Sequence, residues 1–446
     1  MGVEGALTNI INNIIPIKKY TKNNGNNKYV IIDARSLIYR YSIGSLNTFK
    51  FIIDKNGDKV IEVYYLLMIA LRFLSDDIIP IFVFDGKSPD IKNNTINKRK
   101  CIKDKAIKKI TDETKEDNIN DEINTVTDIN INTVIDNVID IDNTNIINDT
   151  IKDNDVDDEM PIKKMSDQDY LKYLKRSYKI KSKNIEKGKM LLQWMGIPIV
   201  DALGEADSQC SAIASVYSDS VIGIITDDFD PLVYMSKNIL KMSSINSNYL
   251  EEYTLENIVK NMGKSMVEFI DKVDDDTLNK KYSNKKVKFT QLHFMEICIM
   301  MGTDYCPGLK LNKAPIKFPT INGQKLSKYE QILYLYLCNN MSLKDSLTSL
   351  TGFLSDNYIN RMLNAKNEYI NANVYDPNDI DITFNKPVNE MVKSICSEFL
   401  DKDDVEYILK LLDKTYGKFI NEPNNNNNNM KQNNLPQPAY YQDIIE

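Results

Sequence analysis

Three short, continuous apolar runs punctuate the first half of the chain. Tyr29-Val30-Ile31-Ile32 ends at Asp33, Ile78 to Phe84 ends at Asp85-Gly86, and Val221 to Ile225 runs into Thr226-Asp227-Asp228-Phe229-Asp230. Their length and β-branched content predict strands covered on both faces, because a half-buried strand would alternate apolar and polar positions. Val60 to Leu74 is apolar and long enough for a helix between the first two runs. Helical texture returns at Asp169 to Lys189, and Leu191 to Pro198 leads into Val200-Asp201-Ala202. The pattern predicts an α/β fold with a central, mostly parallel sheet flanked by helices. All three runs end in carboxylates. Ligands of open parallel sheets bind outside the carboxyl ends of the strands, so these acids are expected to meet at one edge.

Beyond these elements the texture changes twice. Residues 111–165 become Asn, Asp, Ile and Thr with almost no Gly or aromatic residue, which reads as a disordered low-complexity insertion between a first region (1–110) and a second (166–310). Residues 311–420 read as mainly helical and offer no chemical motif. The tail 421–446 includes six consecutive Asn at 424–429 and is expected to be disordered. No repeat at solenoid period is visible.

Composition narrows the chemistry. The 446 residues hold a single histidine, His293, so sites needing two imidazoles are excluded and a Ser-His-Asp hydrolase is disfavoured. The six cysteines include no Cys-x-x-Cys pair, which argues against a disulfide framework or a thiolate zinc site. No apolar run approaches the roughly 18 residues of a membrane span, and no secretory signal opens the chain. Net charge is −7, yet residues 112–160 alone carry 16 acids against Lys115 and Lys152, a net of −14 that leaves the rest at +7. A basic body with one acidic insert is compatible with nucleic-acid binding, since affinity follows the local field; an ordinary solvated lysine surface gives the same sum.

Seven acids stand apart from this background: Asp33, Asp85, Glu205, Asp207, Asp228, Asp230 and Asp304. Each ends an apolar strand or sits in a short motif. Asp228 and Asp230 are two apart, as are Glu205 and Asp207, which puts each pair on one side of an extended segment. Singly, each reads best as a cap or turn residue. Together in one pocket they would repel one another and neutralise in part, unless divalent cations compensate. Hard oxygen ligands suit magnesium, with manganese as a substitute. Two such ions about 4 Å apart would activate water and stabilise the leaving oxygen of a phosphodiester.

These motifs resemble the flap endonuclease branch of the XPG-like 5′ nucleases. The start Met1-Gly2-Val3-Glu4-Gly5 is similar to the family's amino terminus. Ile32 to Tyr39 resembles its first acidic motif, Ile79 to Pro89 its second, and Leu191 to Pro198 with Glu205-Ala206-Asp207 its third; Thr226 to Asp230 and Met301 to Cys306 complete the set. The resemblance implies a PIN-like nuclease core with a helical arch and a mainly helical C-terminal region. It implies one magnesium held by Asp33, Asp85, Glu205 and Asp207, and a second held by Asp228, Asp230 and Asp304. Position 207 departs from the family in being Asp where Glu is usual.

Lys92 and Arg99 match the family's catalytic Lys and Arg on the arch, seven apart and therefore on one face of a helix. Lys103 lies on the same side. Such cations would neutralise charge developing on the phosphate. The resemblance further implies DNA contacts at Gly2, Tyr39 and Gly302, Tyr39 by stacking on a base. His293 is given no role. Two features depart from the family. Pro307 to Pro315 lacks the Gly-Ile-Gly hairpin that grips duplex backbone, and Leu46 replaces an arginine. A degenerate clamp-binding peptide, Gln432 to Leu435 with Tyr440-Tyr441, has its aromatics two places too late. The function expected is a magnesium-dependent, structure-specific 5′ nuclease in DNA replication and repair, cutting 5′ flaps or resecting 5′ ends, as an intracellular monomer at the site of replication (nucleus or viral factory). The alternatives are a 5′–3′ exonuclease on RNA or blunt DNA and a silent nuclease-like scaffold. The acidic insertion reads as a tolerated insert; a nucleic-acid mimic that occupies the arch is the sharper alternative.

Overall fold

Residues 13–16, 29–47, 52–116, 166–282 and 288–421 are described by the computed structural model. Gly2, most of the acidic insertion and the Gln432–Tyr441 segment lie outside the described residues. The chain divides into two compact units, one formed by the residues up to Lys98 together with those from Lys179 onward, the other by Arg99–Tyr178.

The larger unit is built on a seven-stranded sheet in the order β1-β7-β6-β5-β2-β3-β4. The strands are β1 (Asn13–Pro16), β2 (Tyr29–Asp33), β3 (Ile79–Phe84), β4 (Ile199–Asp201), β5 (Val221–Ile225), β6 (Asn238–Lys241) and β7 (Tyr249–Thr254). Pairs among β4, β3, β2, β5 and β6 are parallel, while β7 runs antiparallel to β6 and β1. Every residue of β2, β3 and β5 is buried. This explains their continuous apolar runs: helices cover both faces, so no face needs polar side chains.

The helices of this unit are α1 (Ala34–Leu46), α2 (Ile61–Leu74), the start of α3 (Asn93–Glu116), α5 (Ser182–Trp194), α6 (Ala206–Val216), α7 (Asp230–Val233), α8 (Leu255–Lys272), α9 (Asp276–Tyr282) and α10 (Gln291–Met301). A C-terminal set follows: α11 (Lys328–Cys338), α12 (Leu343–Thr348), α13 (Asp356–Ile370), α14 (Asn389–Cys396) and α15 (Lys402–Asn421). Between α10 and α11 there is no α-helix, only a small hairpin of β8 (Thr320–Ile321) and β9 (Gln324–Lys325). The smaller unit holds the rest of α3 and α4 (Asp167–Ser177). Helix α3 runs to Glu116, six residues into the stretch that composition assigned to the insertion. The Asp169–Lys189 segment is two helices, because the chain leaves helical geometry at Tyr178.

Strand order reverses between β2 and β5. From β2 the chain steps outward through β3 to β4; from β5 it steps the other way to β6. At such a switch point the connecting segments diverge and leave a crevice at the carboxyl ends. Asp33 closes β2 beside it, and the Thr226–Asp230 turn leaves β5 on its other side.

Candidate active site

Asp33 sits deepest. It is 5% exposed, caps α1 by accepting from the Ser36 amide (3.4 Å), and accepts from the Thr226 hydroxyl at 2.8 Å. Thr226 Oγ1 also accepts from the Asp228 amide (3.1 Å), so one hydroxyl ties the end of β2 to the turn after β5. Loss of water and the nearby Asp85 carboxylate push Asp33 up to about 7 from 3.8, against the lowering effect of the Thr226 bond.

Asp85 follows β3, and its Oδ1 accepts from the Ala206 amide at 2.9 Å, which draws it to the start of α6. The Gly86 amide donates to Gly204 O (2.8 Å) and the Lys87 amide to Leu203 O (3.1 Å), tying the chain after β3 to the chain after β4. A side chain at 86 would bring its Cβ within 1.8 Å of the Ala202 carbonyl oxygen. Only glycine fits, and the Asp85-Gly86 motif records that close approach.

Oxygens of Asp207, Asp228 and Asp230 all lie within 4.8 Å of one another. Burial, then the surrounding carboxylates, hold Asp207 and Asp230 well above the usual carboxylate range. Asp207 Oδ1 is buried without a hydrogen-bond partner. An orphaned acid oxygen amid mutually repelling carboxylates is the environment a hard divalent cation relieves, and carboxylate oxygens are the donors it takes. The residues present fit such a group.

The two-residue spacings do not act as extended pairs. Glu205 is the N-cap of α6 and Asp207 lies in its first turn, so their side chains part. Asp207 joins Asp228 and Asp230, whereas Glu205 accepts from Lys92 Nζ and from the Tyr305 hydroxyl (2.6 Å). Asp230 begins α7 and is likewise helical. Local backbone shape, set by capping, overrides the alternation that sequence spacing assumed.

Lys92 ends a short 3-10 turn, Asp90–Lys92, immediately before α3, and so is not on the arch helix itself. Its ammonium bridges Glu205 and Asp304 (3.1 Å to Asp304 Oδ2). Burial would lower its pKa, but the Glu205 and Asp304 carboxylates outweigh that and raise it. Thr95 Oγ1 donates to the Asp304 carbonyl (2.6 Å), pinning the start of α3 to the same loop. Asp304 follows Gly302, which ends α10 at φ 116° and leaves no room for a Cβ against Gly308.

Of the remaining expected contacts, Tyr39 is 43% exposed on α1. Arg99 and Lys103 lie on α3 in the smaller unit, where Lys103 Nζ donates to the Tyr178 carbonyl at 3.3 Å. His293 is a capping residue: its Nδ1 accepts from the Thr290 amide (3.1 Å) while Thr290 Oγ1 accepts from the His293 amide. Sequence reasoning passed over Thr226, Tyr305 and Arg40. Arg40 donates to Asp227 and to the Met242 and Ser243 carbonyls, bracing the turn that carries Asp228. Thr226 and Tyr305 stood inside the quoted motifs, beside the acids. Arg40 had no local signal for this bracing, because Asp227, Met242 and Ser243 lie 187 to 203 residues away.

The chain matches the XPG N-terminal domain over residues 1–106 and the XPG I-region over 196–304. It is 23% identical over 404 residues to flap endonuclease 1 of Drosophila yakuba, covering 89% of this chain and 81% of that protein. With flap endonuclease 1 of Nematostella vectensis it shares 25% identity over 315 residues, 70% of this chain and 63% of the other. The solved flap endonuclease-1 from Methanococcus jannaschii superposes with a TM-score of 0.54 at 19% identity, covering 92% of this chain and 98% of that one, a likeness of fold. Both domain matches span acids of the crevice, from Asp33 and Asp85 in the first to Glu205 through Asp304 in the second. The chain therefore carries both an XPG N-terminal domain and an XPG I-region, and it is similar along most of its length to flap endonucleases.

Proposed function

We propose that the protein is a magnesium-dependent, structure-specific 5′ nuclease that hydrolyses DNA phosphodiesters at 5′ flaps during replication and repair. The observation that carries this reading is the convergence of seven acids and the Lys92 ammonium at the carboxyl ends of one parallel sheet. Two divalent cations are proposed, held by the carboxylates as the family motif divides them; Asp207 of the first set lies within 4.8 Å of Asp228 and Asp230 of the second, so the two sites would adjoin there. Manganese would substitute. When bound, such cations supply an activated water and neutralise charge at the scissile phosphate.

The chain's own groups do the positioning. Lys92 bridges Glu205 and Asp304 and would present a cation where a phosphate oxygen gains charge. Thr226 fixes Asp33, and the Ala206 amide fixes Asp85. Arg99, Lys103, Gly2, Tyr39 and Gly302 are assigned to the DNA from the sequence motif. Grip on the downstream duplex must differ from that of hairpin-bearing relatives, since no α-helix lies between Met301 and Lys328. That favours keeping free 5′ ends beside flaps as substrates. Binding to a sliding clamp through Gln432–Tyr441 belongs to the proposal.

The test is cleavage of a 5′-labelled double-flap DNA with magnesium, with blunt duplex and single-stranded RNA in parallel. Cutting at the flap junction that Asp228→Asn lowers by about 100-fold or more is expected, as for loss of a group acting in the transition state. Stepwise release from blunt DNA or RNA that ignores the junction would move the reading to an exonuclease. No cleavage of any substrate would leave a scaffold.

A further inference from the structure

We infer that α13, drawn from the part of the chain without a sequence motif, belongs to the active-site apparatus, with Arg361 and Tyr369 as positioning residues for Lys92, Asp304 and Asp230. The inference rests on the nuclease reading and adds two residues to it.

Helix α13 turns Tyr358, Arg361, Met362, Ala365 and Tyr369 inward at helical spacing. Arg361 Nε donates to the Tyr305 carbonyl at 2.9 Å, and its Nη2 reaches the Ile91 carbonyl at 3.4 Å. Tyr305 directly follows Asp304, and Ile91 directly precedes Lys92. One guanidinium thus joins the two backbone segments that carry the Lys92–Asp304 ion pair. Its planar, rigid fork fixes the distance between those segments, which a lysine, as a single flexible point, cannot do.

Tyr369, fully buried, donates to Asp230 Oδ2 at 3.3 Å. Its ring packs against Tyr234 (centroids 4.8 Å apart) and Tyr305 (5.0 Å). Tyr305 donates to Glu205 and accepts from the Tyr234 hydroxyl, so three buried tyrosines back two of the acids. The helix is held there independently. Lys366 pairs with the buried Glu296 of α10 at 2.6 Å, and the Tyr358 hydroxyl donates to the Pro307 carbonyl at 2.6 Å. Hydrogen-bond partners of ligating side chains orient the ligands and tune their affinity.

The experiment uses the full chain and MgCl2 alone. Isothermal titration calorimetry gives the Mg2+ affinity of wild type, Tyr369→Phe, Arg361→Lys and the exposed control Asn364→Ala, with thermal melts in chelator and flap cleavage alongside. Tyr369→Phe keeps the ring packing and is expected to weaken Mg2+ binding about 10-fold. Arg361→Lys is expected to lower kcat about 10-fold or more at saturating Mg2+ with KM within about twofold, the pattern of a group acting on the transition state. Asn364→Ala should match wild type in all three readouts. Variants whose melting temperature falls while Mg2+ affinity and kcat stay at wild-type values give α13 a structural role only and overturn the inference. Variants identical to wild type throughout overturn it as well, leaving the nuclease reading intact. A wild type that neither binds Mg2+ nor cuts removes both.

Discussion

Burial and the neighbouring Asp85 carboxylate make Asp33 a weaker acid than a surface aspartate. Its pKa of about 7 in the fold against 3.8 for the ordinary group means that the folded state binds more protons than the unfolded state between those values. Stability then falls as pH rises across that window, and the contribution is fully present only below about 4. We expect the metal-free protein to melt at progressively lower temperature from pH 4 to pH 7, and MgCl2 to raise the melting temperature more at pH 7.5 than at pH 5. Thermal melts in chelator and in MgCl2 check both slopes. Lys92 gives a second prediction at this scale. Its side chain is 13% exposed and that of Glu205 8%, so Lys92→Met leaves two acids facing each other with little water. A loss of roughly 3–5 kcal/mol is expected in chelator, as for a broken buried pair, and a smaller loss in MgCl2. Denaturant titrations under the two conditions measure the difference.

Elements differ in how far the sequence disclosed them. Strands β2, β3 and β5 were legible almost to the residue, because burial on both faces writes itself as an unbroken apolar run. The acids at their ends were legible for the same reason. Where capping decides the geometry, spacing misled: Glu205 and Asp207 part because one caps α6 and the other enters it. Lys92 stands before α3 because a 3-10 turn precedes the helix. Arg361 and Tyr369 left no local trace, since their partners Ile91, Tyr305 and Asp230 lie 56 to 270 residues away in sequence. At this scale Gly86→Ala is informative. Its Cβ would meet backbone rather than a movable side chain, so the β3 and β4 ends must separate and carry Asp85 away from the Ala206 amide. A loss of about 1–3 kcal/mol is expected, with cleavage falling further than stability alone explains. A paired melt and cleavage assay at a temperature where the variant is folded separates the two effects.

For the whole molecule, charge and topology make separate statements. The sheet order places the acids where β2 and β5 diverge, and the net +7 outside residues 112–160 supplies a field for nucleic acid. If the acidic stretch is a tolerated insert, deleting 112–160 leaves DNA affinity at low salt unchanged. Tighter binding by the deletion, with a steeper salt dependence, would instead identify a mimic competing for the same cations. Fluorescence anisotropy with flap DNA at two salt concentrations decides between them. The route the chain takes to its crevice also sets a clock. Asp33 and Asp304 are about 270 residues apart, and at about 5–20 residues per second a ribosome needs roughly 15–60 s to travel from one to the other. Throughout that interval the nascent chain holds only part of its acids. On the proposed site, the growing polypeptide would lack its full set of acids until Asp304 has been made.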